Sequence, residues 1–147
     1  MQGEPVNILL VEDNPAHAKL VIRGLTSHKV GNFINHVEDG AAALDYLYHR
    51  GDFADAKKFP RPHIVLLDLR LPKVDGLEVL KTIKSDKDLK SIPVVILTTS
   101  EADKDIVTAY EHHANAYLAK PVDFEKFMQQ MNDLGFFWLA WNVSIKK

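Results

Sequence analysis

The sequence predicts an α/β fold, a doubly wound (βα)5 parallel sheet, and three observations point to it. Largely apolar runs occur at Val6–Val11, His63–Leu67 and Pro93–Leu97, with a shorter one at Ala116–Ala119. Runs of this kind read as strands covered on both faces, the mark of a parallel sheet between helices. Segments with apolar residues at helical spacing alternate with these runs. Each run also ends in chemistry-bearing residues: Glu12-Asp13, Asp68, Thr98-Thr99-Ser100 and Lys120-Pro121. Parallel strands finish at one edge, and open α/β sheets bind ligands outside those carboxyl ends.

The elements follow in order. After the first strand, Asn14-Pro15 suits a helix start, since asparagine caps and proline loses no useful donor in the first turn. Ala18, Val21, Ile22 and Leu25 then form one apolar stripe. Phe33–Val37 is a second, weaker strand, and Ala41, Leu44, Leu47 and Tyr48 line a helix from Gly40 to Arg50. Gly51–Pro62 has no clean period and contains Lys57-Lys58-Phe59-Pro60-Arg61-Pro62, which predicts an exposed, solvated loop. The third strand ends at Asp68, and the next helix starts near Gly76 with Leu77, Leu80, Ile83 and Lys84 along it. The fourth strand follows Pro93, and Ile106, Val107 and Tyr110 mark the helix after it. The fifth strand ends at Lys120, and Phe124, Phe127, Met128, Met131 and Leu134 stripe the last helix. Strict alternation with right-handed crossovers favours double winding. One domain is expected over 1–134, followed by a tail, 135–147. There Phe136, Phe137, Trp138 and Trp141 crowd together, either folded back on the domain or forming a partner surface.

Composition narrows the function classes. The chain has 147 residues, 46% of them hydrophobic and 26% charged, which fits one globular domain with a single core. A formal net charge of −2 supplies no basic stripe for nucleic acid. With no cysteine, disulfides, thiolate metal sites and cysteine nucleophiles are excluded. The amino terminus lacks a secretory signal's basic and apolar regions, and no apolar run nears the roughly 20 residues that span a bilayer. A soluble cytoplasmic domain without membrane contact is the expectation.

At the shared edge, Glu12, Asp13 and Asp68 would stand together. Two carboxylates about 4 Å apart repel by roughly 4 kcal/mol at an effective dielectric of 20, so three call for a cation. Hard oxygen ligands on a shallow solvated edge suit Mg2+. Lys120 adds a fixed positive charge and Thr98 a hydroxyl, giving a place built to receive a phosphoryl group. Asp68 is then the nucleophile, forming an acyl phosphate. Each residue alone also has a plain structural reading. Asp68 can form a turn, Glu12-Asp13 can favour a helix dipole, Thr98-Thr99-Ser100 can cap a helix, and Lys120-Pro121 can be simple loop. His112-His113 suit a helix end facing the dipole, and the histidines are expected to have structural or surface roles.

With these residues and their intervals, the chain resembles the receiver domains of two-component response regulators over about Val6 to Leu134. Glu12-Asp13, Asp68, Pro72, Gly76, Thr98 and Lys120-Pro121 stand where that family has them. The resemblance implies a flavodoxin-like sheet of strand order 2-1-3-4-5. It implies Asp68 as phosphoacceptor, and Mg2+ held by Glu12, Asp13, Asp68 and the backbone carbonyl of Arg70. Lys120 resembles the phosphoryl-binding lysine, Thr98 the switch hydroxyl and Tyr117 the aromatic that turns inward behind it. Such proteins take the phosphoryl group from a histidine kinase or phosphotransfer protein and hydrolyse it slowly, so they are not conventional enzymes. Their surface changes most at the fourth helix, fifth strand and fifth helix. The loop Gly51–Pro62, the segment Asp68–Gly76 and the aromatic tail resemble, more narrowly, single-domain responders that partner bacterial phytochromes. With no output domain, the signal is expected to leave by protein contact, and a homodimer through the last helix and tail is expected.

Some positions depart from the commonest family pattern. Glu12 replaces a more frequent aspartate, and its extra methylene still allows metal contact, through water. His113 sits where glycine often ends the fourth helix, in a left-handed conformation that glycine adopts more easily. Arg70 and Thr99 flank the site at variable places and are read as tuning water's access to the acyl phosphate. A Mg2+-dependent aspartyl-phosphate phosphatase is the competing enzyme, but position 70 then needs a second aspartate and holds arginine. Flavin or nucleotide binding needs a phosphate cradle after the first strand, where Glu12-Asp13 would repel phosphate. An interaction module that works without phosphorylation is the remaining alternative.

Overall fold

Alternation within each strand decides what both faces of the sheet bury. The computed structural model describes residues 7–27, 33–69, 71–98, 111, 113–119 and 122–133. Its strands are β1 (Asn7–Val11), β2 (Phe33–Val37), β3 (Ile64–Asp68), β4 (Val94–Thr98) and β5 (Ala116–Ala119). Successive side chains point to opposite faces. Leu9, Val11, Val65, Leu67, Val94 and Ile96 therefore join one buried cluster, while Ile8, Leu10, Ile64, Leu66, Val95 and Leu97 join the other. The strands pair in the order β2-β1-β3-β4-β5, and every pair is parallel. The doubly wound sheet and the strand order expected from the sequence are both present.

Helices cover the two faces. α1 (Pro15–Ser27) buries Ala18, Val21 and Leu25 in the Leu10 cluster, beside Phe127 of the last helix (Phe124–Asp133). α2 (Gly40–Leu47) and α3 (Gly76–Ser85) cover the other face with Ala43, Tyr46, Val79, Leu80 and Ile83. Asn14 caps α1 as expected, its Oδ1 accepting the N–H groups of Ala16 at 2.9 Å and His17 at 3.1 Å. Asp39 caps α2 in the same way, accepting from Ala42 N at 2.7 Å. Among the described residues no helix is long and apolar enough to cross a membrane.

Two expectations need correction on this face. The α2 stripe is rotated: Gly40, Ala43, Tyr46 and Leu47 are the buried residues, and Tyr48 is exposed. α2 is apolar nearly all round at its start, Gly40-Ala41-Ala42-Ala43-Leu44, so periodicity could not phase it. The helix also stops at Leu47, short of Arg50, and His49 turns left-handed at φ 54° just after it. The segment Gly51–Pro62 is exposed over most of its length, as expected, but it is anchored at its rings. It opens with a 3-10 turn at Gly51–Phe53, and the rings of Tyr46, Phe53 and Phe59 pack with centroids 5.0–5.9 Å apart. Tyr46 donates its hydroxyl to the Pro60 carbonyl at 2.8 Å, and His49 Nε2 bonds the Phe59 carbonyl at 2.8 Å. Lys57 and Lys58 stay exposed.

The helix expected around Ile106, Val107 and Tyr110, His112, and the tail 135–147 lie outside the described residues. His113 is described, exposed and left-handed at φ 71°, as its position implied.

Candidate metal and phosphoryl site

The carboxyl edge of the sheet places the acidic residues. β1 ends at Val11, paired with Leu67 of β3, so Glu12 and Asp68 each follow one member of that pair. Glu12 is 1% exposed and Asp68 6%, whereas Asp13 faces solvent. Ligand oxygens of Glu12, Asp13 and Asp68 all lie within 4.8 Å of one another. The chain thus brings together residues 55 positions apart in sequence, between Asp13 and Asp68, on two adjacent strands.

Local bonds fix the cluster. Glu12 donates its N–H to the Val37 carbonyl at 3.0 Å, one step beyond the β1–β2 ladder. Its Oε2 accepts the Asn14 N–H at 3.1 Å. Its carbonyl accepts from His36 Nε2 at 2.7 Å. The start of α3 packs against the backbone of Asp68 at the end of β3. Gly76 donates its N–H to the Leu69 carbonyl at 3.1 Å, and a Cβ at Gly76 would run into the Asp68 carbonyl oxygen. Gly76 is therefore required by close approach of α3 to the strand end. Lys73, left-handed at φ 66°, reaches Asp39 Oδ2 at 3.6 Å and ties the loop after Asp68 to the start of α2.

The donors fit a hard divalent cation. Three carboxylates at this spacing, two of them buried, repel by several kcal/mol per pair at intermediate dielectric unless a positive charge sits among them. Their oxygens and the open side at Asp13 match a cation that keeps several waters.

The remaining predicted residues divide. Asp68 pairs with Leu97 across β3 and β4, so Thr98 lies one step beyond it at the same edge. Thr98 pairs in turn with Ala119, the residue before Lys120. Tyr117, half-buried, packs against the cluster under α2 and α3. Arg70, Thr99 and Lys120, and the side chain of Thr98, lie outside the described residues. Sequence reasoning missed Asn14 as a partner of the Glu12 carboxylate, although its spacing two residues on is a turn signal. It also missed His36, which comes from another strand and carries no local signal.

A family model described as "Response regulator receiver domain" matches residues 8–132. The probable methanogenesis regulatory protein FilR2 of Methanothrix harundinacea is 49% identical over 142 residues, covering 96% of this chain and 88% of FilR2. Response regulator Rcp1 of Synechocystis is 42% identical over 135 residues, covering 92% of this chain and 90% of Rcp1. The crystal structure of Rcp1 in its Mn2+-bound form superposes with a TM-score of 0.75, covering 92% of this chain and 95% of that one. The bacteriophytochrome response regulator AtBRR, 46% identical, superposes with a TM-score of 0.83, covering 92% of this chain and 96% of that one. Arginine at position 70 leaves the competing phosphatase without its acid-base carboxylate. A parallel sheet in this order, an acidic cluster at its carboxyl edge and these likenesses have one meaning: the chain belongs to the response regulator receiver domains of two-component signalling.

Proposed function

We propose that Asp68 is the phosphoacceptor of this receiver, with Mg2+ held by Glu12, Asp13, Asp68 and the Arg70 backbone carbonyl. Receiver domains take phosphoryl groups from histidine kinases and hold divalent ions in an acidic pocket of this kind. The observation that carries the assignment is the convergence of the three carboxylates within 4.8 Å, with Asp68 at the end of a central strand. An Asp68 carboxylate oxygen attacks the phosphorus of a phosphohistidine on the kinase or phosphotransfer partner. The P–N bond breaks, the imidazole leaves, and an acyl phosphate forms. Mg2+ held there would neutralise charge on the phosphoryl oxygens.

Other residues complete the reading. Lys120, next to the end of β5, pairs with a phosphoryl oxygen, and Thr98 donates its hydroxyl to another. Tyr117 turns inward behind Thr98, so the changed surface is the one around the fourth helix, β5 and the last helix. Arg70 and Thr99 tune the access of water. A phytochrome-type kinase is the favoured donor, on the likeness to AtBRR and Rcp1. A homodimer through the last helix and the tail 135–147 carries the signal in the cytoplasm. Sedimentation of a chain ending at Leu134 tests the dimer, and an unchanged oligomeric state sinks it.

Intact mass after treatment with acetyl phosphate and Mg2+ tests the chemistry. The parent gains one phosphoryl group and Asp68→Asn gains none, because only an ionised carboxylate at that place can attack. Equal gain in both removes Asp68 from the mechanism. Following decay of the same mass in Arg70→Ala and Thr99→Ala tests tuning, and unchanged rates in both exclude it.

A further inference from the structure

The peptide that joins the two acidic residues of β1's end is held from a neighbouring strand. Glu12 lies past the last β1–β2 pair, Val11 with Val37. Its N–H still reaches the Val37 carbonyl, but β2 ends there, and Asp39 is committed to capping α2. The Glu12 carbonyl instead meets the His36 side chain, Nε2 to O at 2.7 Å. A carbonyl only accepts, so the ring carries its hydrogen on Nε2 and donates. The imidazole is half-buried on the edge strand, opposite Leu10 in the ladder.

This bond has a specific consequence for Asp13. The carbonyl of Glu12 belongs to the rigid plane that contains the Asp13 nitrogen. Fixing that oxygen fixes the direction in which the Asp13 backbone leaves β1. Glu12 is anchored independently, by Val37 through its N–H and by Asn14 through its carboxylate. Asp13 is solvent-facing, so the orientation of its carboxylate depends on the peptide before it.

We propose that His36 is a positioning residue for the cation site, its Nε2–H orienting the Glu12–Asp13 peptide so that the Asp13 carboxylate faces Asp68. The inference rests on reading Glu12, Asp13 and Asp68 as the cation ligands. It assigns His36 an outer-shell role, of the kind whose loss costs about 10- to 100-fold in metal affinity.

Mn2+ binding to the full chain, read from the electron paramagnetic resonance of the free ion, tests this without phosphorylation. His36→Gln keeps a donor near the Nε2 position, and His36→Met has a similar length with none. The expected result is Mn2+ affinity near the parent's for His36→Gln and about tenfold weaker for His36→Met. Parent-like affinity in His36→Met overturns the proposal, and so does equal weakening in both variants, since the donor is then not what matters. If His36→Met does not fold, His36→Val, a good strand former, takes its place under the same criteria. Asp13→Asn is the control for the underlying reading. If it binds Mn2+ as well as the parent, the ligand assignment fails, and the proposal with it. If it loses Mn2+ while His36→Met does not, only the proposal fails.

Discussion

Tyr48 and Asp86 show how a single contact outside the site sets a titration. The Tyr48 hydroxyl donates to Asp86 Oδ2 at 2.6 Å, joining the end of α2 to the end of α3. That bond, helped by the N–H groups of Asp88 and Leu89, holds the Asp86 carboxyl below its ordinary 3.8. The same bond, with burial adding to it, pushes the Tyr48 hydroxyl above its ordinary 10.0. The sign for Asp86 follows from proton linkage: the unfolded chain binds its proton more tightly than the folded one. The contribution to stability is therefore present above the ordinary carboxyl value and is lost as pH falls through the lowered one. Tyr48→Phe removes the largest cause, so the Asp86 carboxyl should titrate higher and the acid limb of the stability curve should flatten. Carboxyl carbon NMR across the acid range reads it directly, and a titration that does not move refutes the assignment.

Among the elements, strands were legible and the anchoring of one long connection was not. β3 ends at Asp68 as expected, because a short apolar run between turn residues has few alternatives, and the weaker β2 spans the expected Phe33–Val37 with only Val37 buried. The segment after α2 defeated that logic, since its order comes from rings far apart in sequence. Tyr46 contributes a fully buried ring and a hydroxyl that accepts from Asn35 Nδ2 at 3.0 Å and donates to Pro60. Burial raises the pKa of that hydroxyl, consistent with a neutral group bonded on both sides. Tyr46→Phe keeps the packing with Phe53 and Phe59 but strands both partners. A loss of about 1–3 kcal/mol in urea unfolding is expected, with earlier proteolysis between Gly51 and Pro62. Unchanged stability and cleavage would mean the rings alone hold the segment.

At the scale of the whole molecule, one edge of the sheet carries a conflict between stability and function. The acidic site was legible because its members stand at or just past the ends of two apolar runs, and topology made neighbours of β1 and β3. What no periodicity revealed was how deeply two of the carboxylates are buried, at 1% and 6% exposure. Like charges held this close oppose folding when no cation is present, while a cation that binds only the folded chain favours it. Asp13→Asn separates these effects. It removes one charge from the cluster at a solvent-facing position, so the metal-free variant should unfold at higher urea than the metal-free parent. Mg2+ at about 100 times its dissociation constant should then stabilise the parent by about 2.7 kcal/mol and leave the variant nearly unmoved. The order of the two unfolding midpoints is accordingly expected to narrow or invert when the ion is added, and to return with a chelator. If both proteins gain equally from Mg2+, the ion binds elsewhere. If the metal-free variant is the less stable of the two, Asp13 serves the fold through contacts that outweigh its repulsion.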